Sequence, residues 1–147
     1  MSVLEKYGTK SVADVLAPAI DYAVDGIPNY EYMLERLRVG QSVSQFQRFP
    51  PGGLNVFFDE GSIPEPGSIL VQSALGGVLQ QLMDAAASAG DQRLKGITAA
   101  RDCFYRGEIA DLIGAASNRV GGILTKSDLE NYQAKYSQPV STTYLGY

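Results

Sequence analysis

The sequence predicts a mainly α protein, with several helices and at most a short β element near residues 54–58 and 140–147. Apolar residues recur at helical spacing along most of the chain, glycines follow the periodic segments, and strand-like alternation is confined to those two places. The 147 residues are 45% hydrophobic, which suits one domain with its own core. We therefore expect residues 1–147 to form a single helical domain.

The first helix is predicted over Ser11–Asp25. Ser11 suits the N-cap position, and Asp14 would lie at the positive end of the helix dipole. Gly26 can end the helix, whereas Pro18 inside it predicts a kink or a split into two pieces. The residues expected to face inward are Val12, Val15, Leu16, Ala19, Ile20 and Ala23.

A second, shorter helix is predicted from an Asn29 cap to Gly40. Its inward residues would be Tyr30, Met33, Leu34 and Leu37. The following residues, 41–67, contain four prolines and predict a long connection with at most a short extended piece at Leu54–Phe58. Because such a connection is uncommon inside a compact domain, we expect it to pack on other polypeptide, including polypeptide outside this chain.

Three further helices are predicted over Ile69–Ala89, Asp91–Tyr105 and Glu108–Val120. The first has the clearest helical pattern, the second is interrupted by Gly96, and Gly121 with Gly122 ends the third. Their inward residues would be Leu75, Val78, Leu79, Leu82, Met83 and Ala86 in the first helix and Ile109, Leu112, Ile113 and Ala116 in the third.

The last predicted helix begins at Thr125, which forms the pattern of a capping box with Asp128. Leu129 and Tyr132 would be its inward residues. Residues 140–147 then alternate and are rich in β-branched and aromatic side chains, which predicts the start of a strand. A lone edge strand is unstable, so it would pair with residues 54–58 or belong to a sheet beyond residue 147.

Composition excludes several kinds of site. The chain has no histidine, so Ser-His-Asp and Cys-His catalysis and histidine metal ligation are excluded. Its one cysteine, Cys103, is interpreted as a small buried residue, and no internal disulfide can form. The formal net charge of −4 and the lack of a basic run argue against nucleic acid as a partner. No apolar stretch reaches the roughly 20 residues of a membrane span, and MSVLEKYGTKS lacks the apolar centre of a signal peptide.

Other candidate groups are interpreted as structural. Gly121–Asp128 could bind an anion at a helix N-terminus, but it lacks the spacing of a phosphate-binding loop and is better read as a helix stop followed by a cap. The tyrosines suit core positions with hydroxyls at the edge. Four acidic residues suit solvated helix faces: Asp84, Asp102, Glu108 and Asp111. The sequence thus predicts no catalytic, cofactor-binding or metal-ligating residue, and no cofactor.

Five blocks in a fixed order nevertheless resemble the gamma-glutamyltransferase (gamma-glutamyltranspeptidase) family: APAIDYAVDGIP, GSILVQSALGGVLQQL, FYRGEIADLI, GGILTKSDLENY and QPVSTTYLGY. In the last three blocks the matching residues are Phe104, Tyr105, Gly107, Ile109, Ala110, Gly121, Gly122, Leu124, Thr125, Asp128, Leu129, Tyr132, Pro139, Tyr144, Gly146 and Tyr147.

The resemblance implies a fold and a division of labour. Members of that family are N-terminal-nucleophile hydrolases with an αββα sandwich, whose precursor cuts itself to expose a catalytic threonine. This chain would be an orthogonal helical bundle within the large subunit. The upstream part would supply an arginine for the substrate carboxylate, and the downstream small subunit would supply the nucleophile. Thr125, Thr142 and Thr143 would not be that nucleophile, so the isolated chain is expected to be inactive.

Two alternatives stay open at this point. The chain could be a stand-alone helical interaction module on the same scaffold. Within the enzyme reading, cephalosporin-acylase or oxamate-amidohydrolase specificity is possible, because the pocket residues are absent. Departures from the family pattern include Ser73-Ala74 and the inserted SAGDQRLKGITAARD. The expected partner is the remainder of the precursor, and an exposed apolar face would favour a homo-oligomer. Family members are often periplasmic or extracellular, but the compartment does not follow from this chain.

Overall fold

The computed structural model describes residues 1–39, 42–48 and 53–146. Within those ranges the chain forms nine α-helices and one two-stranded antiparallel sheet. The elements in chain order are α1 Ser2–Tyr7, α2 Val12–Val24, β1 Ile27–Pro28, α3 Glu31–Arg38, α4 Ser42–Arg48, α5 Leu54–Phe57, β2 Ile69–Leu70, α6 Ser73–Ser88, α7 Arg93–Arg106, α8 Glu108–Arg119 and α9 Lys126–Asn131. The mainly α class and its helical-bundle character are therefore confirmed.

The core lies where α7 packs between α6 and α8, with α2 against the other side of α6. Its buried side chains are Val12, Leu82, Ile97, Ala100 and Ile109. Gly96 permits the close approach of α6 and α7, since a Cβ there would lie 3.2 Å from the Ala86 carbonyl oxygen. Gly96 therefore does not interrupt α7, as the sequence had suggested, but lets the helix pack tightly.

The α2 helix agrees with its predicted start. The Ser11 hydroxyl accepts a hydrogen bond from the Asp14 amide at 3.1 Å, and the Asp14 carboxylate accepts one from the Ser11 amide at 2.9 Å. Pro18 lies inside one continuous helix, so the predicted split is wrong. Val12 and Ala23 are buried near the two ends, and their burial anchors both halves despite the missing proline N–H.

The sheet lies elsewhere than predicted. Ile27 pairs with Leu70 and Pro28 with Ile69, so the start of the predicted Ile69–Ala89 helix is a strand. Residues 54–57 form α5, not an extended piece, and the rings of Phe57 and Phe58 pack 5.9 and 5.7 Å from that of Phe46. Residues 133–143 have no regular structure and a turn follows at 144–146, because no described strand lies beside them.

Several predicted positions also need correction. Asn29 does not cap α3, whose N-cap is Tyr30. Instead Asn29 is buried, and its side-chain amide donates a hydrogen bond to the Ser68 hydroxyl at 2.9 Å. Gly40, the predicted end of that helix, lies outside the described residues. Leu34 faces inward as expected, but six residues predicted to face inward are exposed: Val15, Ala19, Tyr30, Leu75, Leu112 and Tyr132.

The two-stranded sheet of β1 and β2, here called the neck, depends on a glycine at its start. Gly26 has φ +88°, a left-handed conformation, and a Cβ there would lie 2.4 Å from Ile69 Cγ2. Only glycine fits this turn without strain, which explains why it directly precedes β1.

Every helix in the described ranges falls short of the length and hydropathy that a membrane crossing demands.

Candidate functional site

A cleft of 980 Å³ opens between α1, α7 and the residues that follow α9. Its wall combines aromatic rings, aliphatic side chains and four charged groups. The charged residues are Glu5, Lys6, Arg101 and Arg106, and the rings are those of Phe104, Tyr105, Tyr132 and Tyr136. A concavity of this volume is in the range of ligand pockets, so its polar groups decide what it could do.

The charged groups of the cleft contact other groups of the chain. Arg101 Nη1 lies 2.7 Å from Glu5 Oε2, and both side chains are partly exposed. Lys6 Nζ lies 3.9 Å from the centre of the Tyr136 ring. Arg106 pairs with Asp102 one helical turn earlier in α7. These contacts hold the wall of the cleft together, and none brings a nucleophile to a general base.

A pair of stacked tyrosines joins α7 to the end of α9. The rings of Tyr105 and Tyr132 stack with centroids 5.4 Å apart and planes 19° apart. Phe104 meets Tyr105 edge-on at 4.9 Å. Tyr105 thus packs on the C-terminal end of α9, although Tyr132 remains mostly exposed. The arrangement places the chain after α9 beside the cleft.

Thr125 and Asp128 form the predicted capping box. The Thr125 hydroxyl accepts a hydrogen bond from the Asp128 amide at 3.2 Å, and the carboxylate accepts one from the Thr125 amide at 2.8 Å. Hydrogen bonds from the side chain and backbone of Thr125 lower the pKa of Asp128 below its ordinary 3.8. The N-terminus of α9 is therefore occupied by its own side chains.

The other acidic residues named from the sequence are spread over the helices. Asp84 accepts a hydrogen bond from Gln80 Nε2 at 2.7 Å, and Asp111 accepts one from Lys126 at 2.9 Å. The Asp111 hydrogen bond raises the pKa of Lys126 above its ordinary value of 10.5. Glu108 is exposed at the start of α8. Among the described residues, no three potential metal ligands come together.

The remaining candidates are isolated. Cys103 is a half-buried free thiol whose Sγ lies 3.9 Å from the Gln81 carbonyl oxygen. Thr142 and Thr143 are exposed in the segment without regular structure. Sequence reasoning missed Tyr136, whose hydroxyl donates to the Ser2 carbonyl at 2.8 Å. No local pattern could have indicated that contact, because 134 residues separate the two partners.

The fold is that of a helical subregion found within larger proenzymes of the N-terminal-nucleophile hydrolase type. The family model described as Gamma-glutamyltranspeptidase matches residues 1–147, and the chain belongs to that family. The resemblance carried by the sequence blocks is confirmed.

Individual relatives extend well beyond this chain. It is 32% identical over 146 residues to a glutathione hydrolase proenzyme of Pseudomonas sp. (strain A14), covering 97% of this chain and 22% of the relative. It is 32% identical over 130 residues to an oxamate amidohydrolase proenzyme of Klebsiella pneumoniae, covering 88% and 21%. Helicobacter pylori gamma-glutamyltranspeptidase superposes with a TM-score of 0.82 at 29% identity, covering 99% of this chain and 37% of that one.

The chain thus spans about a fifth of the length of the curated relatives it matches. Such a match is consistent with one part of a longer precursor and does not favour a stand-alone interaction module. The family is one of enzymes, and the described helices supply a helical part of its fold.

Proposed function

We propose that this chain is a helical part of the large subunit of an enzyme that transfers or hydrolyses γ-glutamyl amides of the glutathione type. The match of the family model to all 147 residues carries the proposal. The nucleophile would be an autoprocessed threonine outside this chain, acting through an acyl-enzyme. The isolated chain would then be inactive, with no catalytic, cofactor-binding or metal-ligating residue of its own.

The test compares the pure chain with the precursor expressed from the native gene, using γ-glutamyl-p-nitroanilide as substrate. We expect hydrolysis only by the precursor, and loss of activity when its exposed threonine is replaced by alanine. Activity of the pure chain that scales with its concentration would overturn the inactive reading. A precursor that cleaves oxamate and not γ-glutamyl amides would keep the amide chemistry but replace the substrate class.

The absence of site residues in this chain has its own test in the precursor. Thr125→Ala, Thr142→Ala and Thr143→Ala should leave kcat within about twofold once folding is matched, because these hydroxyls lie in a cap or an exposed segment. A loss of kcat by three orders of magnitude in one of them, with autoprocessing intact, would identify it as catalytic.

We also propose that residues 1–147 form a single domain that meets the remainder of its precursor, namely the N-terminal part of the large subunit and the small subunit, through exposed apolar side chains. The support is that Ile123 is 95% exposed, Tyr144 77% and Leu145 81%. Such a surface favours association when it is uncovered, so the isolated chain should form homo-oligomers.

Sedimentation velocity over a hundredfold concentration range tests the association. We expect oligomers for the wild-type chain and a shift toward monomer in the Ile123→Ser, Leu145→Ser double variant. The matched control is Lys135→Ser, which changes an exposed polar position nearby. A monomer at every concentration would refute self-association.

A further inference from the structure

The short helix α1 is attached to the rest of the fold mainly through hydrogen bonds to its carbonyls, one ion pair and contacts with aromatic rings. Its six residues include none that is buried, and only Leu4 packs against the core as a half-buried side chain. A helix of this length is unstable in isolation, so its structure depends on what holds it. The contacts of α1 therefore decide both its position and its folding.

One side of α1 is held by two arginines of α7. Arg93 Nη1 donates to the Leu4 carbonyl at 3.0 Å, and Nη2 donates to the Glu5 carbonyl at 3.4 Å. These carbonyls lie near the C-terminal end of α1, which favours positive charge, and the Leu4 carbonyl also accepts a hydrogen bond from the Gly8 amide. Arg101 adds the ion pair with Glu5 at 2.7 Å.

Tyr136, in the segment after α9, also contacts α1. Its hydroxyl donates to the Ser2 carbonyl at 2.8 Å. Its ring meets Tyr7 edge-on at 6.2 Å, and Lys6 Nζ lies 3.9 Å from its centre and 5.1 Å from the centre of Tyr7. One side chain thus makes three different contacts spread over the length of α1.

We propose that Tyr136 is a latch that holds α1 closed as one wall of the 980 Å³ cleft. When Tyr136 is released, α1 keeps its bonds to Arg93 and Arg101 of α7 but loses its contacts to the segment after α9, so the helix frays and the cleft widens between α1 and that segment. The latch joins residues 2–7 to residue 136. This inference does not depend on the proposed catalytic activity.

The strength of the latch is that of a few exposed contacts. A hydrogen bond and a cation–π contact at the surface are each modest, so the closed state is favoured over the open one by roughly one order of magnitude in population through Tyr136. Opening at this level is a local event that leaves the remaining helices folded. The latch is therefore measurable as faster exchange of specific amides without global unfolding.

Amide hydrogen exchange by NMR on the full chain tests the proposal. The reporters are the Glu5 amide, which donates to the Met1 carbonyl at 2.8 Å, and the Gly8 amide, which donates to the Leu4 carbonyl at 3.0 Å. Tyr136→Ala should accelerate both by about tenfold, and Tyr136→Phe, which keeps the ring but loses the hydroxyl, by a smaller factor. The Gly96 amide inside α7 should not change.

The matched control is Tyr144→Ala, which removes a 77% exposed tyrosine from the same segment. It should leave the Glu5 and Gly8 amides unchanged. Equal exchange in Tyr136→Ala and Tyr144→Ala would overturn the latch. Acceleration of the Gly96 amide by the same factor would also overturn it, because Tyr136 would then support the whole bundle and not α1. Lys6→Met, which keeps Tyr136, should accelerate the two reporters by a few-fold.

Discussion

The α6–α7 pair and the segment 133–146 both carry large apolar side chains, yet only the first buries them. Leu82 and Ile97 are enclosed where α6 and α7 meet, whereas Val140 and Leu145 are almost wholly exposed. The helices satisfy their own backbone hydrogen bonds and need only a neighbour for one face. An alternating segment also needs a strand beside it, and no described strand lies there.

Apolar content alone therefore does not decide where the core forms. What decides it is whether the required neighbour lies within the same chain. The helices find theirs through short connections, since α6, α7 and α8 follow one another directly. The segment after α9 is held near the bundle by Tyr136 and its residues beyond that point make no element of their own.

The largest effect should come from the centre of the helix pair. Ile97 is fully buried, so Ile97→Ala should reduce the free energy of unfolding by about 3 kcal/mol through lost burial and a cavity. Leu112→Ala, at a side chain 62% exposed, should change it by less than about 0.5 kcal/mol. Urea unfolding followed by circular dichroism measures both. Equal losses in the two variants would show that burial of the side chain does not determine its contribution to the free energy of unfolding.

A slightly smaller effect is expected where the neck meets α2. Gly26→Ala should cost about 2–3 kcal/mol, because φ is +88° and the new Cβ would meet Ile69. Gly67→Ala has φ +83° but nothing within 4 Å, so it should cost only about 1 kcal/mol. The difference between their unfolding free energies isolates the cost of the contact with Ile69. A difference of zero would show that this contact does not destabilise the fold.

Loss of a helix cap should have an intermediate effect in both regions. Ser11→Ala at α2 and Thr125→Ala at α9 should each cost about 1 kcal/mol of local helix stability. Because α2 packs in the core and α9 is peripheral, we expect the first to lower the global unfolding free energy and the second to appear mainly as faster amide exchange in residues 126–131. Indistinguishable global effects would contradict the division into core and periphery.

Acid should weaken the same caps without any substitution. Hydrogen bonds from the backbone and side chain of Ser11 lower the pKa of Asp14, and those from Thr125 lower the pKa of Asp128. A carboxylate with a lowered pKa in the folded state stabilises above its ordinary 3.8, and that contribution disappears as pH falls through the folded value. Amide exchange in both helices, corrected for intrinsic rates, should rise below pH 3.8. Asp14→Asn and Asp128→Asn should abolish that dependence locally.

The smallest effect should follow removal of residues after Ser137. The truncated chain should unfold with a free energy within about 0.5 kcal/mol of the whole, because Tyr136 is retained and the side chains described at residues 138–146 are exposed. It should also associate less in solution. A loss of several kcal/mol would show that the segment contributes to the bundle.

Local patterns were enough to predict the longer helices and two of their caps, but not α1, α4 or α5. Ser11 with Asp14 and Thr125 with Asp128 are short-range motifs, so both capping boxes were visible in the sequence. The strand pair was missed because Ile27 and Leu70 are far apart in the chain and each strand has only two residues. The helix at residues 54–57 was missed because its aromatic partner Phe46 lies in another helix.

The cleft was beyond sequence reasoning for a related reason. It depends on Glu5 meeting Arg101 and Tyr136 meeting Ser2, contacts that span 96 and 134 residues. Family resemblance, in contrast, could be read from ordered blocks of residues. It indicated where the chemistry would lie, namely outside this chain, but carried no information on how α1 is held.

The neck formed by β1 and β2 determines how much a change in chain length would cost. The chain leaves the bundle at Asn29 and returns at Ser68. There the backbone amide of Asn29 donates to the Ser68 carbonyl at 2.7 Å, and the Gly67 amide donates to the Asn29 carbonyl at 2.8 Å. Doubling the length of such a closed excursion adds only about 0.6 kcal/mol of closure entropy. Changes in chain length between these residues should therefore cost little free energy and leave the packing of α6 on α7 in place.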